Sequence, residues 1–529
     1  MLFLALATYA GHGWEQTQPV PEDRTETAQE EQQEQGIGGP AEGSDTPQNV
    51  YGLFPQDSYY DGTRLSDNGT MTFPEGDTGS DSQPRSMSLR CELDDYLDRN
   101  FPRTGLPGVA VIVVNASGTQ YQKLLGDITS EHDTMLIGSL TKSFCAISVL
   151  QLAQEGALDL DTPVSQYVPS YGTDWDVTVR SLLNQTSGFG YYESLSEAHS
   201  GPMKGRFSYS NANYDLLGHI VDAVSGEPYT QYVEEHVLIP LGMDDSGATL
   251  EDREAVHGHR NYFGWPVADG FARGDSDDAW GSASSGYMCT SPADFAKYLQ
   301  MYLNQGSAMP TGGAQILQPA SVRAMFLSRV LDPTSDSFYG MGWSSFYTDS
   351  GELILSHDGD VENGVARMMI LPQRGIALAV LGDAADAFGG NDAFYAMAGG
   401  VVACVMGAEP GDVSPMLRIQ HHLGMDFFYF ILIAIAVIPI VCFGKWKQDV
   451  KTQPHTQLVW RLITLQVLFP LTVYFLPIWQ NYTWRDTLTF MPDFSIVCIG
   501  CIVVSVACGI AKAVVLVRSS GSSKAVVKR

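Results

Sequence analysis

Hydrophobic positions follow two different patterns on either side of a point just past the first quarter of the chain. Residues 109–114 (VAVIVV) form a continuous apolar run, which is typical of a buried β-strand. Further on, Phe144, Ile147 and Leu150 recur at helical spacing. A strand followed by a helix that begins near Ser139 is therefore predicted.

From residue 89 to residue 410 the chain alternates between strand-like and helix-like runs, which predicts a globular α/β domain. Three nearly uninterrupted apolar runs follow, at 425–443, 462–479 and 495–517. Each run is long enough to cross a bilayer core of about 30 Å. Because charged residues flank these runs, three transmembrane helices are predicted rather than buried core helices.

Lysine and arginine residues are distributed unevenly around the three runs. The connection 480–494 contains Arg485 as its only basic residue, beside two aspartates. The other connection and the C-terminal tail are richer in basic residues: Lys445, Lys447, Lys451 and Arg461, then Arg518, Lys524, Lys528 and Arg529. The positive-inside rule predicts a multi-pass protein of the cell membrane, with an extracellular globular domain and a cytoplasmic C-terminus.

The first 88 residues differ in composition from the globular region. Residues 1–13 contain an apolar run without a basic leader, so they are either a truncated signal peptide or an accidental resemblance to one. Residues 14–88 are polar and acidic, which predicts a disordered spacer. The formal net charge of −30 argues against nucleic acid as a partner.

Candidate chemistry begins at Ser139 and Lys142. Residues three apart on a helix face the same side, so this serine hydroxyl and this lysine amine can meet. A position in the first turn of a helix and burial would both lower the pKa of Lys142, and a neutral lysine can accept the serine proton. The alternative is a serine N-cap followed by a solvated surface lysine.

Two later motifs add further candidates for a site. Tyr209 can shuttle a proton and Asn211 can donate to a substrate carbonyl, although an N-capped helix with a packed aromatic ring would have the same pattern. His357, Gly359 and Asp360 end a strand-like run. The edge of such a strand can supply a backbone N–H group to an oxyanion, and glycine lets a substrate approach.

In this order, the three motifs resemble those of the serine β-lactamase and penicillin-binding-protein superfamily, in particular its branch of class C β-lactamases, D-alanyl-D-alanine carboxypeptidases and esterases. The resemblance covers roughly residues 89–410. Other segments that carry it are 106–110 (LPGVA), 155–161 (EGALDLD), 181–188 (SLLNQTSG), 240–243 (PLGM) and 339–343 (YGMGW). It implies an antiparallel sheet flanked by helices, a mainly helical subdomain, a site between the two, and no metal or cofactor.

The resemblance also implies roles for the candidate residues. Ser139 would be the acylated nucleophile, and Lys142 its base or proton relay. Tyr209 would move the proton to the leaving group and activate the deacylating water. Asn211 would bind the substrate amide, and the backbone N–H groups of Ser139 and Asp360 would form the oxyanion hole. His357 would replace the lysine that the family often has in its third motif.

Two departures from the family pattern bear on the substrate. Asp358 stands where a small hydroxyl residue is common, and an acid there would repel a substrate carboxylate. Gln185 stands where histidine is frequent. We therefore expect a membrane-tethered esterase or peptidase (amidase) that acts on a neutral or amine-bearing small molecule or peptide. The alternative is a penicillin-binding or sensing domain that is acylated without efficient turnover and signals or tethers through the membrane.

Overall fold

The computed structural model describes residues 82–526, apart from 173–176, 250, 253–255, 270–275, 349–350 and 481. The predicted signal peptide at 1–13 lies outside the described residues. So does most of the predicted spacer at 14–88, within which the first described helix begins.

Within the described residues, thirteen strands belong to one large and two small sheets. Their bounds are β1 Gly108–Asn115, β2 Gly118–Gly126, β3 Met135–Leu136, β4 His259–Tyr262, β5 Trp265–Ala268, β6 Cys289–Thr290, β7 Val330–Asp332, β8 Ser337–Gly340, β9 Trp343–Tyr347, β10 Leu353–Val361, β11 Gly364–Leu371, β12 Ile376–Gly382 and β13 Ala384–Ala385. The large sheet has eight antiparallel strands in the order β2-β1-β12-β11-β10-β9-β8-β7. β3 pairs with β6, and β4 lies between β5 and β13.

The helices precede, cover and follow this sheet. The longer ones are α1 Ser82–Thr104, α2 Thr141–Gln154, α3 Asn211–Ser225, α4 Pro292–Leu303, α5 Pro319–Leu327, α6 Gly390–Met406, α7 Met416–Val441, α8 Phe443–Thr452, α9 His455–Trp479, α10 Trp484–Phe490 and α11 Pro492–Val526. Shorter helices are Pro169–Gly172, Val179–Leu183, Tyr229–Val233 and Ile239–Leu241. The antiparallel sheet with flanking helices confirms the predicted fold class.

Both faces of the large sheet are buried, which explains the continuous apolar run of β1. Ala110 and Ile112 face a core that includes α2, α3 and α4. Val109 and Val111 face the opposite core, which is built with α1 and α6. Since successive side chains of a strand point to opposite faces, a strand between two helical layers must be apolar at every position. The predicted strand at 109–114 is confirmed within β1.

In the described part of the chain, three helices are long and apolar enough to cross a membrane: Met416–Val441, His455–Trp479 and Pro492–Ser519. They contain the predicted runs almost entirely and pack together through Tyr429, Leu432, Val473 and Cys498, among others. α7 begins before its predicted run because its first turns bind the globular domain rather than lipid. His422 lies 2.8 Å from the carboxylate of Asp386.

Candidate functional site

Ser139 lies in a tight turn that leads directly into α2. Residues Gly138–Leu140 form one turn of 3-10 helix, and β10 crosses close to it. A Cβ atom built on Gly138 would come within 2.6 Å of the Asp360 backbone nitrogen. A Cβ atom built on Gly359 would collide with the carbonyl oxygen of Ile137, the residue just before the turn. Glycine at both positions therefore lets the turn and the strand approach, and the backbone N–H of Asp360 lies beside the turn that carries Ser139.

Lys142 lies one helical turn beyond Ser139 and is completely buried. Its amine donates hydrogen bonds to Ser139 Oγ at 3.0 Å, to Asn211 Oδ1 at 2.7 Å and to the carbonyl oxygen of Ser285 at 2.6 Å. The structure thus brings together Ser139 and Lys142, which lie three residues apart in the sequence. The partner at Ser285 was missed at the sequence level, because a backbone carbonyl in a distant loop leaves no residue-type signal.

Burial lowers the pKa of Lys142 to about 7, although the nearby carboxylate of Asp215 acts in the opposite direction. Burial in turn raises the pKa of Asp215 above its usual range, and Ser282 Oγ donates to this carboxylate at 2.6 Å. Asp215 was not among the predicted residues. Its position four residues after Asn211, on the same face of α3, is the sequence signal that could have identified it.

Tyr209 lies against both members of the pair. Its side chain is close enough to that of Ser139 to influence the pKa of the phenol, and its ring centroid is 4.8 Å from the Lys142 amine. Burial raises the pKa of Tyr209 well above its usual value. The phenol is therefore protonated at neutral pH.

Gln185 positions the chain between Tyr209 and Asn211. Its Oε1 accepts a hydrogen bond from the backbone N–H of Ser210 at 2.9 Å and another from the side-chain amide of Asn213. The residue is buried and has a left-handed backbone conformation with φ of 59°. The glutamine that departs from the family pattern thus anchors the segment that carries the second motif.

His357 on β10 is neutral at physiological pH. Its Nδ1–H donates to the Asp358 carbonyl oxygen at 2.7 Å, which leaves Nε2 to accept from the Tyr339 hydroxyl at 3.3 Å. Burial, followed by the charge of Lys142, lowers the pKa of His357 to about 4. His357 therefore lines the cleft without the positive charge of a lysine.

Two carboxylates beside His357 are engaged by other side chains. Asp358 forms a bidentate ion pair with Arg367 on β11, with both N–O distances at 2.6 Å. Asp360 accepts hydrogen bonds from Tyr395 at 2.8 Å and from Asn391 at 2.9 Å, and burial raises its pKa to about 7. Asp358 was expected to repel a substrate carboxylate. That expectation was incomplete, because Arg367, its neighbour on β11, neutralises the negative charge of Asp358.

One cleft of about 580 Å³ is lined by Ser139, Tyr209, Asn211, His357 and Asp360, among others. Four aspartates contribute to its walls: Asp332, Asp358, Asp360 and Asp392. Among the described residues that line the cleft, Arg367 is the only arginine, there is no lysine, and the guanidinium of Arg367 is already paired with Asp358. The cleft is therefore acidic and offers no unpaired cation of its own within the described lining.

Two groups of side chains in the described part of the chain come close enough together to hold a cation. They are Asp127, His259 and Asp383, and Glu227, Glu235 and His236. Neither group contains a residue that lines the cleft.

Comparisons with known proteins agree with this geometry. A protein-family model described as Beta-lactamase matches residues 93–399. Protein flp of Staphylococcus aureus (strain MW2) is 26% identical over 325 residues, which cover 55% of this chain and 62% of that protein. The chain thus matches less than two thirds of the length of this relative. The structure of the octameric penicillin-binding protein homologue from Pyrococcus abyssi is similar with a TM-score of 0.51 and 25% identity, over 62% of this chain and 80% of that chain.

The approach of β10 to the Ser139 turn gives a testable prediction. Gly138→Ala adds a Cβ at φ of 56°, in collision with β10, whereas Gly156→Ala adds one at φ of 75° in open space. The control should lose about 1 kcal/mol through backbone strain alone. We expect Gly138→Ala to lose about 1–3 kcal/mol more, from the overpacking at β10, in thermal unfolding of the purified protein. Equal losses in the two variants would contradict this account of the turn.

Proposed function

Because this chain belongs to the beta-lactamase family, we propose that it is a membrane-anchored serine hydrolase that forms an acyl-enzyme through Ser139. The observation that carries this proposal is the contact of 3.0 Å between the Lys142 amine and Ser139 Oγ, together with the depressed pKa of the buried lysine. A general base works best when its pKa is near the operating pH. Lys142 fits that requirement, whereas Tyr209, with its raised pKa, fits the role of a proton donor.

In the proposed mechanism, Ser139 Oγ attacks the carbonyl carbon of an ester or amide while neutral Lys142 accepts the hydroxyl proton. The carbonyl electron pair moves to the oxygen, where the backbone N–H groups of Ser139 and Asp360 stabilise the negative charge. Tyr209 then donates its proton to the departing group and regains one from the Lys142 ammonium. Water attacks the acyl-enzyme along the same proton path and releases Ser139. Asn211, held by Lys142, positions the substrate carbonyl.

The charges of the cleft favour substrates that are neutral or carry an amine. His357 is neutral, Arg367 is paired with Asp358, and Asp392 adds a further negative charge to the lining. A carboxylate placed among these groups would meet like charges, which costs several kcal/mol at a binding surface. This argues for esterase or amidase activity over hydrolysis of β-lactams or D-alanine peptides, both of which need recognition of a carboxylate.

We further propose that the hydrolase domain is extracellular. The connection between α9 and α11 contacts this domain, because the Arg485 guanidinium donates to the Asp278 carbonyl oxygen at 2.8 Å. The opposite ends of the helices carry the basic connection and the tail. The positive-inside rule then places those basic segments in the cytoplasm and the cleft outside. The bilayer is accordingly a partner of the chain. The acidic net charge of the chain argues against nucleic acid as a further partner.

The nucleophile is tested with the full-length protein in detergent. Ser139→Ala should lower hydrolysis of p-nitrophenyl acetate at least about 1,000-fold, since it removes the attacking oxygen. Ser148→Ala, at a buried serine on α2, is the control and should retain activity. Intact-mass spectrometry should detect acylation that depends on Ser139. A stable adduct without turnover would instead support acylation for binding or sensing, and efficient cleavage of nitrocefin without ester hydrolysis would contradict the substrate assignment.

The pH dependence tests the base. Lys142 is active when neutral, so kcat/KM for a neutral ester should rise as pH increases through about 7. Asp215→Asn removes a charge that stabilises the ammonium form, which lowers the pKa of Lys142 further and moves this rise to lower pH. Asp222→Asn on the same helix is the control and should leave the profile unchanged. Asp360 also has a pKa of about 7, so the rise must persist in Asp360→Asn if Lys142 is the group responsible.

Substrate charge is tested with two p-nitrophenyl esters that differ only in a terminal amine or carboxylate. We expect kcat/KM to favour the amine ester at least about tenfold at low salt, with a smaller preference at high salt. Asp392→Asn should reduce this preference, whereas Asp95→Asn, an exposed acid on α1, should not. A preference for the carboxylate ester would refute the assignment.

A further inference from the structure

The connection between the second and third membrane helices forms part of the surroundings of the cleft. We propose that this connection, residues 482–491, positions an aromatic wall made of Tyr191, Tyr192 and Trp280, and thereby sets which acyl groups the cleft accepts. The membrane region would then be a positioning element of the hydrolase as well as its anchor. The specificity part of this inference rests on the proposed hydrolase function.

The aromatic wall belongs to the cleft. Tyr191, Tyr192 and Trp280 line it together with Ser139 and Tyr209. The Tyr191 ring centroid is 5.9 Å from that of Tyr209, and the Trp280 indole N–H donates to the Tyr191 carbonyl oxygen at 2.9 Å. The aromatic wall therefore borders the part of the cleft next to Tyr209.

The wall residues lie on two segments that contain no helix or strand. Residues 184–210 and 276–288, all of which the structure describes, form turns and irregular chain rather than helix or strand. Such segments take their position from what packs against them. The relevant question is therefore what lies behind the aromatic wall, on the side away from Ser139.

Side chains of the membrane connection fill that position. The Phe490 ring meets the Trp280 ring edge-on with centroids 5.2 Å apart, and Tyr482 meets Tyr192 in the same manner at 5.6 Å. Tyr482 and Phe490 line a small space that is shared with all the residues of the aromatic wall. Edge-to-face ring pairs of this kind contribute about 0.5–1.5 kcal/mol each beyond the burial of their area.

Arg485 ties the same two segments together. One of its guanidinium nitrogens donates to the Asp278 carbonyl oxygen at 2.8 Å and another to the Tyr192 carbonyl oxygen at 3.4 Å. One side chain of the connection thus binds both loops of the aromatic wall through their backbones. Arg485 is also the one basic residue of the connection 480–494, and the positive-inside rule predicts few basic residues on that side of the membrane. Its hydrogen bonds to the two loops give a structural reason for an arginine at this position.

The experiment uses the full-length protein in lipid nanodiscs, with p-nitrophenyl acetate and p-nitrophenyl phenylacetate as small and large acyl donors. Phe490→Ala should raise KM for the phenylacetate ester about tenfold, which corresponds to about 1.4 kcal/mol, and leave kcat/KM for the acetate ester within about twofold. Phe490→Tyr keeps the ring and should behave like the unaltered protein. Leu488→Ala, a change at a side chain on α10 that is 47% exposed, is the matched control and should change neither value.

Rates are normalised to the fraction of protein that reacts with a fluorophosphonate at Ser139, so that misfolded protein does not enter the comparison. An equal loss for both esters in Phe490→Ala, or a loss of the same selectivity in Leu488→Ala, would overturn the proposal.

Amide hydrogen exchange separates failure of this inference from failure of the hydrolase function. Phe490→Ala should speed exchange in residues 189–192 and 277–281 and leave α2 unchanged. If the unaltered protein has no turnover that depends on Ser139, the hydrolase function fails, and faster exchange in these two segments alone still supports the positioning role. Unchanged exchange in both segments would overturn that role whatever the activity.

Discussion

The burial of the Lys142 amine is the constraint on which the rest of the site depends. An amine without solvent needs a hydrogen-bond acceptor for each proton, and here the acceptors come from the turn at Ser139, from α3 and from the loop at Ser285. Three segments of the chain must therefore meet at one atom. The same burial depresses the pKa of Lys142, so the requirement that fixes the geometry also produces the basicity that an acyl-transfer mechanism needs.

The electrostatics of the cleft follow from burial in the same way. His357 loses its charge because it is enclosed near Lys142, and Asp360 has a raised pKa because it is enclosed among aromatic and amide groups. Arg367 retains its charge but shares it with Asp358 across neighbouring strands. The result is a cleft in which His357 is neutral and aspartate side chains outnumber basic side chains. Among members of one family, this balance of charges bears on the choice of substrate more than the shared fold does.

The globular domain and the membrane helices contact each other at more than one place. His422 at the start of α7 contacts Asp386, and Arg485 binds the loops at Tyr192 and Asp278. These contacts join the anchor to the same edge of the domain as the aromatic wall. A tether without such contacts would supply only proximity to the bilayer, whereas this arrangement makes the connection between α9 and α11 a neighbour of the cleft.

The sequence alone determined the elements whose signals are local. The apolar run of β1, the helix that begins near Ser139, the spacing to Lys142 and the three membrane helices all depend on residues within a few turns of one another, so their periodicity is visible in the chain. The order of the motifs also led to the fold class and to the residues around the nucleophile. Only the tertiary structure decided which groups surround them. Lys142 meets Ser285 across 143 positions, and Arg485 meets Asp278 across 207. Such contacts arise from packing, and backbone carbonyls leave no residue-type signal that a sequence could carry.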